Sequence, residues 1–124
     1  MTSDDTSSTG WLSLPEVAEA MGIKLRDVRN LLRDNVLAGM RQPPPDGPFL
    51  VPASFLVDGD DPLSVHKRAL ASLRGTVIQL QDSGFTVDEA VHWLLSEEPA
   101  LGTTPIQALR DKRIHEVRRV AQTL

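Results

Sequence analysis

The chain has 124 residues with 17 acidic and 13 basic side chains, a formal charge of −4, and its length supports one compact domain or two very small ones sharing a core. The absence of cysteine excludes a disulfide framework and a thiolate zinc site, and it fits a reducing compartment. No apolar run of about 18 residues occurs and the start, MTSDDTSSTG, has no signal-peptide pattern, so the expectation is a cytoplasmic protein with no membrane contact.

Residues 1–10 are small, polar and acidic, with nothing to bury, and are read as a disordered tail. Beyond them, Leu14, Val17, Ala18 and Met21 fall at i, i+3, i+4 and i+7 on one helical face. Gly22 stops that helix and Ile23 plugs the turn. Val28, Leu31 and Leu32 then make a second apolar stripe, leaving Arg26, Asp27, Arg29, Asn30 and Arg33 on the solvent side. With Trp11 taken as the start of the first helix, this is two helices joined by a tight glycine turn. Such pairs are common in small helical domains, and exposed arginines often only solvate a surface.

The next segment raises the pattern above that background. Gly39-Met40-Arg41 and Phe49-Leu50-Val51 are short apolar runs separated by the cluster Gln42-Pro43-Pro44-Pro45-Asp46-Gly47-Pro48, which reads as a hairpin. A hairpin directly after the second helix is a wing, and the whole is a winged helix-turn-helix whose second helix suits the major groove of DNA. Arg41 at the base of the wing either reaches a backbone phosphate or is a solvated hairpin charge.

Between residues 24 and 41 five basic side chains (Lys24, Arg26, Arg29, Arg33, Arg41) face two acidic ones, whereas residues 58–100 hold eight acids and three bases. The negative charge therefore lies away from the second helix. The acidic remainder weakens non-specific attraction to phosphate, so salt-sensitive binding is expected, strengthened if a homodimer engages one site. No sustained heptad pattern for a zipper is present.

Residues 52–62 connect the wing to the rest, with Phe55, Leu56 and Val57 packing back on the first helices. Asp58-Gly59-Asp60-Asp61 lacks the glycine and distal glutamate of a calcium loop and is read as a turn and helix cap. A long helix is expected over 63–83, with Leu70, Leu73, Val77 and Leu80 buried, ending at Gly84. Thr86 and Glu89 form a capping box for a helix over 87–95, with Phe85, Ala90, Trp93 and Leu94 as apolar contacts and Trp93 structural. Thr104-Pro105 opens a helix carrying Ile106, Ala108 and Leu109. A final helix from about residue 114 buries Val117, Val120 and Ala121 and exposes Arg113, Arg118 and Arg119. The fold class is mainly α: a winged helix-turn-helix over 11–57 with a small β-hairpin wing, then a helical bundle over 58–124.

No catalytic set stands out. His66, His92 and His115 are each isolated on an expected helix without metal-ligand spacing, Glu97-Glu98 is a solvated pair, and neither a glycine-rich phosphate loop nor a G-x-S-x-G elbow occurs. The expectation is a non-enzyme with no metal and no cofactor.

The stretch LSLPEVAEAMGIKLRDVRNLLRDNVLAGMR, with FLVPASFL after the wing, resembles the winged helix-turn-helix of excisionase and mercury-resistance-type regulators. It is most similar to a small actinobacterial DNA-binding family whose mycobacterial member is a substrate of the serine/threonine kinase PknL. That family also carries a G-[FY]-x-x-x-E-x-x-x-W-L-like segment, here Gly84, Phe85, Glu89, Trp93 and Leu94. The resemblance implies double-stranded DNA as partner, a transcriptional role at the nucleoid, and a serine/threonine kinase acting on the tail, at Thr9 first and Thr6 second. Phosphate there would weaken DNA binding by repulsion. The candidate DNA contacts are Lys24, Arg26, Arg29, Asn30, Arg33 and Arg41. One departure is Lys24, which stands where related turns place a Ser or Thr cap and cannot accept a hydrogen bond from the helix amides. The alternative is an antitoxin-like adaptor whose C-terminal helices bind a protein partner; PALG…TP…L resembles, more weakly, a module of antitoxin and partition proteins.

Overall fold

The computed structural model describes residues 10–59, 61 and 63–124. Its N-terminal part runs β1 (Trp11–Ser13), α1 (Leu14–Met21), α2 (Leu25–Arg33), β2 (Met40–Arg41) and β3 (Phe49–Pro52). A single 3-10 turn, Ala53–Phe55, leads into β4 (Leu56–Asp58) and β5 (Lys67–Ala69). Then come α3 (Leu73–Asp82), α4 (Val87–Leu95), α5 (Pro105–Arg110) and α6 (Ile114–Gln122). The fold is mainly α, a winged helix-turn-helix followed by a helical region, as the sequence pattern requires.

The wing sheet has the order β1-β3-β2, antiparallel throughout, with Trp11 opposite Pro52, Ser13 opposite Leu50, and Met40 opposite Leu50 on the other side. Trp11 is thus in a strand, correcting the expectation that it begins the first helix. The free edge of β3 supplies a ladder for its backbone, and Ser13 ends the strand by capping α1. Glu16 N–H donates to Ser13 Oγ at 3.3 Å and Ser13 N–H to Glu16 Oε1 at 2.7 Å, a capping box. Ser13→Ala is expected to cost about 0.5–2 kcal/mol in urea denaturation. No change in the midpoint would mean that packing alone fixes the start of α1.

At the other end of α1, Gly22 has φ +69°, a left-handed cap that a side chain would strain, and Ile23 N–H bonds back to Ala18 O at 3.0 Å. Lys24 occupies the N-cap of α2 and makes no side-chain cap bond, as its chemistry dictates.

One buried cluster runs through both parts of the chain. Val17, Val28, Leu37, Val51 and Phe55 enter it from the N-terminal side, and Leu73, Val77, Leu80, Leu94, Leu109 and Val117 from the C-terminal helices. Polar ties reinforce the junction. Arg110 Nη1 donates to Ser54 O at 2.9 Å and to Leu56 O at 2.8 Å, and Asn35 Nδ2 donates to Gln81 Oε1 at 3.2 Å.

The long helix expected over 63–83 is shorter. Only Leu73–Asp82 is helical, and Lys67–Ala69 forms β5 against β4, with Leu56 opposite Ala69 and Asp58 opposite Lys67. Leu63 and Val65 are 92% and 88% exposed, so a helix continued through them would have had no apolar surface to bury against, whereas β4 offers residues 67–69 a ladder. Leu73, Val77 and Leu80 are fully buried as expected, and Leu70 precedes the helix, donating its N–H to Phe55 O at 2.9 Å. His66 consequently lies in the connection before β5 and not on a helix; its imidazole sits over Gly22. Asp58 ends β4 and pairs with Lys67 Nζ at 2.8 Å, and Asp61 Oδ1 accepts from Leu63 N–H at 2.9 Å, so among the described residues here none caps the expected helix.

The remaining helices obey their local signals. Thr86 and Glu89 form their reciprocal cap at 3.1 and 2.8 Å, and Thr104 Oγ1 accepts from Gln107 N–H at 3.2 Å. Arg113 departs from the expectation of exposure: it is half-buried, donating to Leu101 O at 3.0 Å and to Glu116 Oε1 at 2.6 Å. That bond holds the Glu116 carboxyl below the usual carboxylate range, so its contribution to stability is present at neutral pH and is lost as pH falls through the folded-state value.

Candidate nucleic-acid interface

Helix α2 buries Val28 completely and presses Leu31 and Leu32, half-buried, onto the core. At 100° per residue this forces positions 26, 29, 30 and 33 onto the opposite face, and Arg26, Arg29, Asn30 and Arg33 are all exposed there. Lys24 is exposed at the N-cap of the same helix. Lys24, Arg26 and Arg29 have no hydrogen-bond or ion-pair partner among the described residues. Arg33 Nε lies 3.6 Å from Asp34 Oδ1, but the two side chains are 70% and 59% exposed, and a solvated pair of that kind holds its members weakly. Guanidinium groups left open in this way keep five donors each for a ligand that brings acceptors.

Arg41 stands apart, on β2 of the wing. Its Nη1 donates to Gly47 O at 3.0 Å, bracing a tip that is also closed by Gln42 N–H to Pro48 O at 3.0 Å and Gly47 N–H to Pro43 O at 2.8 Å. The residue is exposed, so one donor shapes the wing while the others remain open. Thr6 and Thr9, the candidate phosphorylation positions, lie outside the described residues.

Sequence reasoning passes over Arg74. It sits in the first turn of α3, exposed, and its Nε donates to Asp34 O at 3.1 Å, at the C-terminal end of α2. Forty residues separate the partners, so only the fold brings this cation to the helix. Trp93, read as structural, packs against the core but is only half-buried, and it lines a groove with Phe85 and His92 of the α4 region and with Met40 and Pro44 of the wing. Among the described residues no cluster of His, Asp or Glu could hold a metal ion, and no helix is long and apolar enough to cross a membrane.

Comparison with known proteins agrees with this geometry. Residues 3–56 match the family model described as DNA-binding protein Rv2175c, wHTH domain, and residues 70–124 match the Rv2175c C-terminal domain of unknown function. The curated DNA-binding protein Rv2175c of Mycobacterium tuberculosis is 28% identical over 123 residues, spanning 90% of this chain and 77% of that protein. The solved NMR structure of Rv2175c superposes with a TM-score of 0.73 at 27% identity, covering 91% of this chain and 79% of the other.

Proposed function

The chain belongs to the winged helix-turn-helix family of DNA-binding protein Rv2175c, and from that membership we propose that it binds double-stranded DNA with α2 in the major groove and the wing on the flanking backbone. The observation that carries the reading is the exposed face of α2, where Arg26, Arg29, Asn30 and Arg33 stand together and two of the three arginines have no partner among the described residues.

The roles divide by chemistry. Arg29 and Asn30, at the centre of the face, read base edges, since a guanidinium pairs with guanine O6 and N7 and a carboxamide with adenine N6 and N7. Lys24, Arg26, Arg33 and Arg41 hold phosphates and set the register. Residues 11–57 are then the DNA-contacting unit and 58–124 the helical unit that supports it. In this reading the protein is a non-enzymatic transcriptional regulator at the nucleoid, and two copies side by side on one site supply the affinity that a net charge of −4 withholds. A serine/threonine kinase acting at Thr9 or Thr6 adds about −1.5 to −2 charges to the tail and weakens binding by repulsion. Equal duplex affinity before and after stoichiometric tail phosphorylation removes the switch.

Fluorescence titration against random duplex at two salt concentrations tests the central part. Four or five phosphate contacts predict a log–log slope of about −3 to −5. A flat slope, with capture of a protein partner in the groove beside Trp93, favours the adaptor reading instead.

A further inference from the structure

The last twenty residues repeat the charge balance of α2 and the wing: five basic side chains, Arg110, Lys112, Arg113, Arg118 and Arg119, against Asp111 and Glu116. Most of this charge has structural employment. Arg110 is bonded to Ser54 and Leu56, Arg113 takes Glu116 and Leu101, and Asp111 accepts from Gln107 Nε2 at 3.1 Å. Arg118 and Arg119 are different: both are exposed and neither guanidinium has a hydrogen-bond or ion-pair partner among the described residues.

Their position is fixed by α3. Gln79 Nε2 donates to Arg118 O at 3.0 Å, and the Arg118 guanidinium lies across Gly75, where any side chain would collide with it. The two helices thereby form an open cleft of about 590 Å³ lined by Gly75, Gln79, Asp82, His115, Arg118 and Arg119. Gly75 is next to Arg74, whose Nε is bonded to Asp34 O, and the carboxylate of Asp34 faces Arg33. A run of cations therefore leads from Arg33 on α2 through Arg74 to Arg118 and Arg119. Its acids are Asp34, screened by Arg33, Asp82, about two turns along α3 from Gly75, and Glu116, which is bonded to Arg113 and lies within the field of Arg119.

We propose that the α3–α6 cleft is a second phosphate-backbone contact for the duplex, which extends the DNA surface from α2 into the C-terminal helical unit. This rests on the DNA-binding reading of α2. In that reading Arg29 and Asn30 at the centre of α2 meet base edges and Arg33 at its C-terminal end meets phosphate, so the chain beyond that end faces the flanking backbone, and there the run of cations begins. Guanidinium groups with free paired donors match phosphate oxygens two at a time.

The test uses the full chain and a duplex of about two turns, long enough to pass beyond the α2 footprint. In Arg118→Gln/Arg119→Gln the salt slope is expected to fall by about 1–2 and low-salt affinity by roughly tenfold, with sequence preference unchanged, because phosphate contacts carry no base information. Circular dichroism should match the parent, since both side chains are exposed. Lys112→Gln, which removes a charge from a different cleft, should leave the slope intact; an equal loss there would reduce the effect to net charge and overturn the proposal. An unchanged slope in the α6 variant, while Arg29→Ala/Arg33→Ala weakens binding, also overturns it and leaves the DNA reading standing. If the parent protein shows no salt-dependent binding at all, both fall together.

Discussion

Phe55→Ala is expected to lower the unfolding free energy by about 3–5 kcal/mol, a large share of the roughly 5–15 kcal/mol typical of a domain. Phe55 heads the fully buried side chains by volume and lies in the 3-10 turn between the wing sheet and β4. The backbone around it is pinned: Arg110 holds the carbonyls of Ser54 and Leu56, and Leu70 N–H holds that of Phe55 itself. A cavity there has little freedom to collapse, which places the cost toward the upper end for an aromatic truncation. The two tryptophans report on both parts of the chain, Trp11 from β1 and Trp93 from α4. Urea curves from each, and from circular dichroism, should shift together. Separate transitions for the two parts would mean that the shared core does not couple them.

The second large effect is on binding. Arg29→Ala should weaken duplex affinity by about 1–3 kcal/mol, about 5- to 150-fold in Kd, and should relax discrimination at the base it reads. Its side chain is exposed and has no partner among the described residues, so the fold loses nothing when it goes. The comparison with Arg33→Ala separates the roles. Arg33, a phosphate contact in this reading, should cost less specificity while lowering the salt slope by about 1. Matching losses of discrimination in both variants would put Arg33 in the groove as well.

How much of the molecule is legible in the sequence differs from element to element. The face of α2 is, because Val28, Leu31 and Leu32 fix a helical period and leave 26, 29, 30 and 33 opposite. So is α4, whose capping box at Thr86 and Glu89 and apolar positions agree. The same S-x-x-E signal stands at Ser13 and Glu16 and is open to reading; taking Trp11 as helical conceals it. Strands β1 and β5 carry no such signal. Each has three residues, and each is a strand because a partner elsewhere in the chain, β3 or β4, offers a free edge. Strand character of that origin depends on context and leaves little local period. The placing of Arg74 at the C-terminal end of α2, and of the Arg118 guanidinium over Gly75, is beyond any window of sequence, since only the fold brings those residues together.

Which surface meets DNA can be located without any variant, by titrating unlabelled duplex into 15N-labelled protein and recording the amide shifts. The largest changes are expected over 24–34 and at the wing amides of 41, 42, 46 and 47, with a second set over 74–79 and 115–119 if the α3–α6 cleft takes part. Shifts confined to the groove formed by Phe85, His92 and Trp93, with 24–34 unmoved at saturation, would contradict the assignment of α2 as the recognition helix.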